Sequence, residues 1–364
     1  MRGVAVLGST GSIGRSTLAV LARQRAHFRV VALTAGRNAA LLESQRREWT
    51  PDFTGLADAA GAEVLLEAAT HPGVDIVVNA VVGAAGLDAT LAALRAGKRV
   101  ALANKESLVM AGELVMEAAR AGGGELIPVD SEHSAVLQCL AGQDSALERL
   151  ILTASGGPFR EWSAERVGEA SVEEALRHPT WSMGSKITVD SATLANKALE
   201  VIEAHFLYGL PYDRIEVVVH PQSIVHAFVE FGDGSMLAQL GFPTMELPIL
   251  YALTHPARLP DRGVPRFDPI SAGSLTFEPV RRDIFRTFDA GVDAGRAGGT
   301  APAVFNAANE VAVAAFLERR IPFGRIPDTI RAALDAHTVQ PATSLAAVRE
   351  ADRWARARAR EEMT

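Results

Sequence analysis

The sequence predicts an α/β protein with a Rossmann-like N-terminal domain, a central α+β domain with a mostly antiparallel sheet, and a C-terminal helical domain. Three observations lead there. A short apolar run, GVAVLG at 3–8, enters the glycine turn GSTGSIG at 8–14 and then an amphipathic helix to about Arg25, which is the strand–turn–helix unit that opens dinucleotide folds. Val- and Ala-rich runs then alternate with helical patterns, the rhythm of a parallel, doubly wound sheet. From about Arg281 the pattern is helical, strongest over Thr300–Arg319 and 345–361. The expected boundaries are 1–128 for a nucleotide-binding domain, 129–254 for a catalytic and connective domain, 255–280 for a Pro-, Gly- and Asp-rich linker, and 281–364 for the helical domain.

The 364 residues suffice for two or three domains with a substantial core. A net charge of −7 gives no electrostatic footprint for nucleic acid or an anionic membrane. Cys139 is the single cysteine, so there is no intrachain disulfide framework, and a reducing compartment is expected with the thiol as a small core residue. No apolar run reaches the ~18 residues of a membrane span, and MRGVAVLG does not read as a signal peptide. The expectation is a soluble, cytoplasmic protein.

In chain order, the glycine turn presents backbone N–H groups and a helix N-terminus to a pyrophosphate. The next strand, Phe28–Ala35, ends in Gly36-Arg37-Asn38. An NAD site places a carboxylate there; an arginine without one suits a ribose 2′-phosphate, so NADP is expected over NAD. Asp75–Ala80 and Arg99–Ala103 are further strands, separated by VVGAAG and a helix over Leu87–Ala96. The second ends in Asn104-Lys105-Glu106-Ser107, at the carboxyl edge where ligands of such sheets sit. A helix over Glu113–Arg120 is broken by Gly122-Gly123-Gly124. The strand ELIPVD then ends in Asp130-Ser131-Glu132-His133-Ser134. Asp130 and Glu132 at a strand end could project to one side and hold a hard divalent cation or do acid–base work; alternatively Asp130-Ser131 caps a helix. The absence of a Cys/His cluster disfavours zinc.

A second α/β segment begins with the strand Arg149–Thr153 and the loop Ala154-Ser155-Gly156-Gly157-Pro158-Phe159, whose glycines allow close backbone approach to a ligand. The densest stretch is 178–200, HPTWSMGSKITVDSATLANKALE. Its first half, with His178, Trp181 and Met183, has no helical period and reads as a loop able to close. Its second half reads as a helix on which Asn196, Lys197 and Glu200 share a face. A helix start with Ser191 and Asn196 beside a lysine suits a phosphate, and Glu200 suits a metal or a proton. Ile215–His220, Ala227–Phe231 and Ser235–Leu240 read as an antiparallel meander with Asp233-Gly234 as a hairpin turn, and His220 and His226 as structural. Asn306 and Glu310 lie four apart on the Thr300–Arg319 helix.

Together these stretches resemble the 1-deoxy-D-xylulose 5-phosphate reductoisomerase family over essentially the whole chain. The resemblance rests on GSTGSIG (8–14), AGRN (35–38), ANKESLV (103–109), DSEHSA (130–135), SGGPF (155–159), HPTWSMG (178–184), SATLANKALE (191–200) and NAANE (306–310). It implies an NADPH- and divalent-metal-dependent rearrangement and reduction of 1-deoxy-D-xylulose 5-phosphate to 2-C-methyl-D-erythritol 4-phosphate, in the non-mevalonate isoprenoid pathway, by a homodimer acting on a small sugar phosphate. Thr10, Gly11, Ser12 and Ile13 are then the pyrophosphate loop, Gly36, Arg37 and Asn38 the 2′-phosphate site, and Asn104, Glu106 and Gly184 further cofactor contacts. Asp130, Glu132 and Glu200 are the Mg²⁺ or Mn²⁺ ligands. Lys105, Ser131 and Glu132 surround the reacting ketone and hydroxyls. Ser155, Ser191, Asn196 and Lys197 bind the substrate phosphate, and His178, Trp181 and Met183 belong to a flap over 178–185. Ser185, Phe242 and Thr244 depart from the commoner family pattern. The alternative from another class is a metal-independent, NADP-dependent dehydrogenase of the semialdehyde or homoserine type, which shares the N-terminal fold but does not require three carboxylates.

Overall fold

The structure, a computed structural model, describes residues 1–143, 147–181 and 183–363. Strands β1 (Arg2–Leu7), β2 (Phe28–Ala35), β3 (Phe53–Leu56), β4 (Ile76–Asn79), β5 (Arg99–Leu102) and β6 (Glu125–Pro128) form one sheet in the order β3-β2-β1-β4-β5-β6. Every neighbouring pair is parallel. This is the doubly wound order with its switch point between β1 and β4, where dinucleotides bind. β4 and β5 are buried at every residue, and β1 at all but Arg2. Helices cover both faces of such a sheet, which is why these strands read as near-continuous apolar runs rather than alternations. The core joins Val4, Val6, Leu33, Ile76 and Val78 to Ile249, Leu250 and Leu253 of the helix Glu246–Thr254. Each fully buried Leu or Ile contributes roughly 1.5–3 kcal/mol relative to exposure, so a segment some 240 residues along the chain helps to seal the first strand.

The second sheet contains β7 (Leu147–Ala154), β8 (Ile215–Val219), β9 (Val225–Phe231), β10 (Met236–Leu240) and β11 (Glu278–Pro279), ordered β10-β9-β7-β8-β11. Only β7 and β8 pair in parallel; the other neighbours are antiparallel. The β9–β10 hairpin over Asp233-Gly234 forms as expected, but 215–240 is not a meander. β7 lies between β8 and β9, because its Leu150, Leu152 and Ala154 are buried and suit a central strand. His220 stabilises the turn out of β8: its Nε2 accepts from the Ile224 and Val225 N–H groups at 3.1 and 3.2 Å, and its Nδ1 donates to the Thr276 carbonyl at 2.8 Å. Both ring nitrogens serve the backbone, which is a structural role.

The chain groups into two compact units. The first comprises Met1–Ser107, Leu114–Ala141 and Thr244–Arg266; the second comprises Leu108–Glu113, Gly142–Pro243 and Phe267–Thr364. Residues 255–280, expected to be a linker, divide between them and contain the short helix Pro269–Ala272, capped by Asp268, as well as β11. The helix expected over Glu113–Arg120 runs from Lys105 to Gly122 and is kinked at Ala111 (φ −144°, ψ 38°). In the second unit the helices Arg286–Ala297, Ala301–Leu317, Arg325–Asp335 and Leu345–Glu361 pack together. Arg356, on the helix Leu345–Glu361, is half-buried and paired with Asp352 and Glu310 at 2.8 and 2.6 Å. Among the described residues no helix is long and apolar enough to cross a membrane.

The glycine turn makes a steric demand at Gly14, where a Cβ would lie 2.3 Å from the Gly8 carbonyl oxygen and 2.5 Å from Ser9 Cα. Both obstacles are backbone and cannot swing away. Gly14→Ala gains about 1 kcal/mol of helix propensity but overpacks the turn at about 1–3 kcal/mol. The expected outcome is a lower midpoint for the first transition in urea unfolding; an unchanged or raised midpoint would show that the turn relaxes freely.

Candidate active site

In the first unit, the turn after β1 is tied on both sides. Gly8 and Ser9 N–H donate to the Thr34 carbonyl at 3.0 and 2.8 Å. The buried Ser9 hydroxyl donates to Gln45 Oε1 at 2.7 Å, and Gln45 Nε2 returns a bond to the Ser9 carbonyl at 2.9 Å. The helix Ser12–Arg23 starts with Gly11 as N-cap and no side-chain cap, so Ser12 and Ile13 lie in a first turn whose N–H groups are not consumed by the helix itself. Thr10 and Gly11 complete the turn. At the end of β2, Gly36 and Arg37 are exposed and Asn38 caps the helix Ala39–Trp49 through its Oδ1, which accepts from Leu41 N–H at 3.1 Å. Asp58 was not foreseen there. Its N–H donates to the Gly36 carbonyl at 3.1 Å, and its Oδ1 would lie 3.8 Å from a Gly36 Cβ, so this loop is not purely cationic.

The carboxyl ends of β4 and β5 are joined by a fully buried polar network. Asn79 Nδ2 donates to the Gly86 carbonyl at 2.9 Å and to Thr90 Oγ1 at 2.8 Å. Asn104 Nδ2 lies 2.8 Å from the Val81 and Gly83 carbonyls and 3.1 Å from Glu106 Oε2, and Ser107 Oγ donates to Asn104 Oδ1. Buried side-chain amides satisfied in this way fix the loops they join. Asn79, Thr90 and Ser107 escaped sequence reasoning; an amide ending the apolar run DIVVNA was the available signal.

That network presents Lys105 at the start of its helix, 4% exposed, with Nζ 2.5 Å from Asp130 Oδ2. Asp130 is the N-cap residue of the helix Ser131–Leu140, yet its side chain makes no capping bond. Glu132 is therefore not on a strand end, as the alternating reading required, but in a first helical turn, where Ser131 Oγ donates to Glu132 Oε2 at 2.6 Å. β6 ends at Pro128 and the chain turns directly into the helix. A carboxylate there is favoured by the helix macrodipole.

In the second unit, β7 ends in a loop that only glycine can form. Gly156 and Gly157 have φ of 82° and 65°, and a Gly157 Cβ would lie 2.8 Å from the Ser191 carbonyl oxygen. This places Ser155 beside His178, whose Nε2 lies 3.0 Å from Ser155 Oγ and 3.1 Å from Ser191 Oγ. The imidazole tautomer follows from its other nitrogen. Nδ1 accepts from Thr180 and Trp181 N–H at 3.1 and 2.9 Å, so Nε2 carries the proton of the neutral ring and both serine hydroxyls keep protons to donate outward. Burial pushes the His178 pKa down to about 4. Trp181 and Met183 are half-buried in the same loop, Gly184 caps the following helix, and Ser182 lies outside the described residues.

The helix expected over 191–200 is two helices, Ser185–Ala192 and Ala195–Tyr208, separated by Leu194 in the left-handed region (φ 57°). Ser191 thus lies in a last turn rather than at a helix start, while Asn196 and Lys197 lie in a first turn. Asn196, Lys197 and Glu200 share a face as expected. Glu200 is 1% exposed; its Oε1 accepts from Asn196 Nδ2 at 2.5 Å and its Oε2 from Lys197 Nζ at 2.5 Å. Lys197 Nζ also donates to the Thr153 carbonyl at 2.5 Å. A carboxylate buried this deeply is tolerable only with such donors.

The arrangement pins two hydroxyls and a neutral imidazole in one cluster, and an amide, an ammonium and a carboxylate in another. Known proteins of one family match the chain. Family models of 1-deoxy-D-xylulose 5-phosphate reductoisomerase match residues 4–65 and 57–112, and its C-terminal domains match 126–208 and 240–358. A curated 1-deoxy-D-xylulose 5-phosphate reductoisomerase of Heliobacterium modesticaldum is 52% identical over 373 residues, covering 97% of this chain and 95% of its own. One from Chlorobium limicola is 47% identical, covering 99% of each. A crystal structure of DOX-P reductoisomerase with NADPH, fosmidomycin and magnesium superposes with a TM-score of 0.94 at 39% identity, covering 100% of this chain and 98% of that one. The Zymomonas mobilis enzyme with NADPH gives 0.88 at 40% identity, covering 100% and 99%.

A neutral His178 is directly measurable. An NMR titration of its imidazole should give an inflection near pH 4. Because the unfolded ring titrates near 6.5, the unfolded chain binds the extra proton first, and stability falls as pH drops from about 6.5 toward 4. A His178→Asn variant should show a flatter acid limb. An inflection near 6.5 would show that the cluster is hydrated rather than buried.

Proposed function

The chain belongs to the 1-deoxy-D-xylulose 5-phosphate reductoisomerase family, and from that premise we propose that it converts 1-deoxy-D-xylulose 5-phosphate to 2-C-methyl-D-erythritol 4-phosphate, in the non-mevalonate route to isoprenoids, with NADPH and Mg²⁺ or Mn²⁺. The observation that carries this is 52% identity over 97% of the chain. No observation favours the metal-independent dehydrogenase reading, which has no use for a carboxylate buried as deeply as Glu200.

The residues present fit both groups. Gly14, where no Cβ fits, keeps the turn Thr10 to Ile13 tight, with the first-turn N–H groups of Ser12 and Ile13 left for a pyrophosphate while that of Gly11 closes the turn onto Gly8, and Gly36, Arg37 and Asn38 lie where a 2′-phosphate is read. Asn104, Glu106 and Gly184 are the further cofactor contacts of this proposal. Asp130, Glu132 and Glu200 are its metal ligands, an all-oxygen set suited to a hard cation. When bound, the cofactor supplies hydride and the cation supplies Lewis-acid charge stabilisation.

This chain's own side chains then have distinct tasks. Ser155 and Ser191 donate their hydroxyl protons to the substrate phosphate, because Nε2–H of His178 occupies their acceptor side. Asn196 and Lys197 bind the same phosphate and hold Glu200 in place. Phosphate binding so far from the reacting carbons supplies energy for orienting them. Lys105 and Ser131, anchored to Asp130 and Glu132, face the ketone and hydroxyls in this reading. Trp181 and Met183 close over the substrate and exclude water from the aldehyde formed by the rearrangement. We assign the cytoplasm as the compartment and a homodimer as the working form. Strand β10 supports the latter: it is an edge strand with Met236, Leu237 and Leu240 all exposed, a surface that soluble proteins ordinarily cover.

NADPH absorbance at saturating 1-deoxy-D-xylulose 5-phosphate tests the reaction. The expected result is oxidation that stops with EDTA and returns with Mn²⁺; chelator-resistant oxidation would overturn the metal requirement. Glu200→Gln should lose at least about 100-fold in turnover, the scale of losing a transition-state charge partner, while NADPH still binds by fluorescence. Near-normal turnover in excess Mn²⁺ would sink Glu200 as a ligand.

A further inference from the structure

The NAANE segment (306–310) lies in the middle of the helix Ala301–Leu317, where Glu310 pairs with Arg356 and the asparagines face inward. Asn309 on that helix is fully buried and donates through Nδ2 to Asp190 Oδ1 at 2.8 Å. Asp190 is itself 1% exposed and receives Lys186 Nζ on Oδ2 at 2.7 Å, one helical turn away. Its backbone carbonyl accepts from Thr193 Oγ1 at 3.2 Å, and Thr193 Oγ1 in turn accepts from Ala195 N–H at 3.2 Å. The Asp190 carboxylate therefore ties the helix Ser185–Ala192 to a helix more than 110 residues further along, while its backbone carbonyl holds the break at 193–195.

The helix Ser185–Ala192 carries the site at both ends. At its start, Gly184 terminates the flap, and its carbonyl accepts from Thr188 N–H and Thr188 Oγ1 at 3.0 and 2.9 Å. In its last turn is Ser191, adjacent to Asp190 and bonded to His178. The helix has only eight residues, too few to hold its position by itself, so its placement depends on what it is fastened to. An acceptor-only carboxylate orients the Asn309 amide without ambiguity, since only Nδ2 can face it.

We propose that Asn309 is a positioning residue for the phosphate subsite: acting through Asp190, it fixes the helix Ser185–Ala192 so that Ser191 Oγ and the root of the flap are in register with Ser155 and His178. This rests on the reading of Ser191 as a phosphate contact. It extends that reading to the C-terminal helical segment, which touches neither substrate nor cofactor in it. Lys186 has the companion task of neutralising Asp190 from within the same helix.

The test uses the full-length enzyme with 1-deoxy-D-xylulose 5-phosphate, Mn²⁺ and NADPH. Asn309→Leu keeps the volume and removes the donor; the KM for the sugar phosphate should rise about tenfold, the scale of one charge-assisted hydrogen bond, while the KM for NADPH is unchanged. Asn309→Asp should be worse, because two carboxylates then meet. The exchange Asp190→Asn with Asn309→Asp recreates the donor–acceptor pair in the opposite sense and should return KM to within about threefold of the parent, a rescue that loss of packing alone does not give. If Asn309→Leu fails to fold, Asn309→Ala provides the same comparison. Ser191→Ala is the control on the underlying reading: no change in its KM overturns the phosphate assignment itself. A raised KM for Ser191→Ala with an unchanged one for the Asn309 variants overturns the positioning role and leaves the phosphate site standing. A fall in kcat with KM raised for both substrates alike, without rescue, also overturns it.

Discussion

Glu200 is buried, and much of the second unit is arranged so that it can be. A carboxylate withdrawn from water to 1% exposure needs compensating donors. Asn196 and Lys197 supply them from the preceding turn of the same helix, and Lys197 is in turn fastened to the carbonyl of Thr153 at the end of β7. Thr153 also bridges to β9, its hydroxyl donating to the Val225 and His226 carbonyls at 2.7 and 2.9 Å. Sheet, helix and carboxylate thus form one continuous set of bonds. Relaxing any member leaves a charge or a carbonyl unsatisfied in the interior, which keeps the face carrying these groups rigid.

The first unit solves a related problem with neutral groups. Side-chain amides at the ends of β4 and β5 hold the adjoining loops through bonds to backbone carbonyls, and Lys105 emerges from that scaffold already paired with Asp130. The loops can then be irregular without being loose. The glycine turn after β1 is held in the same manner by the Ser9–Gln45 exchange. In both units the proposed ligand-facing residues sit in loops or helix end turns fixed by buried polar bonds, which is the preorganisation that binding a charged substrate demands.

Several elements were legible because local chemistry decides them. GVAVLG followed by GSTGSIG specifies a strand and a glycine turn whatever else the chain does, and Asp233-Gly234 specifies its hairpin. Asn196, Lys197 and Glu200 share a face because helical spacing permits nothing else. Where local chemistry allowed two outcomes, the distant context chose. DSEHSA fits both a strand end and a helix start, and the helix prevails because β6 runs out at Pro128 and Ser131–Leu140 has its own buried face with Val136 and Cys139. SATLANK reads as one helix from its composition, yet Leu194 adopts a left-handed conformation that splits it into two helices packed on each other.

The class of fold, the short-range motifs and the family they mark were thus readable in the chain alone, since each depends on residues within a few turns of one another. Which distant segments share an interior emerged with the folded chain. β7 enters between β8 and β9, Glu246–Thr254 returns to seal the first sheet, and Asn309 reaches Asp190. The physical reason is that burial and buried-charge compensation are properties of a volume rather than of a chain segment: a leucine, an amide or a carboxylate states its requirement locally, but the partner that satisfies it can come from anywhere the fold brings backbone close enough.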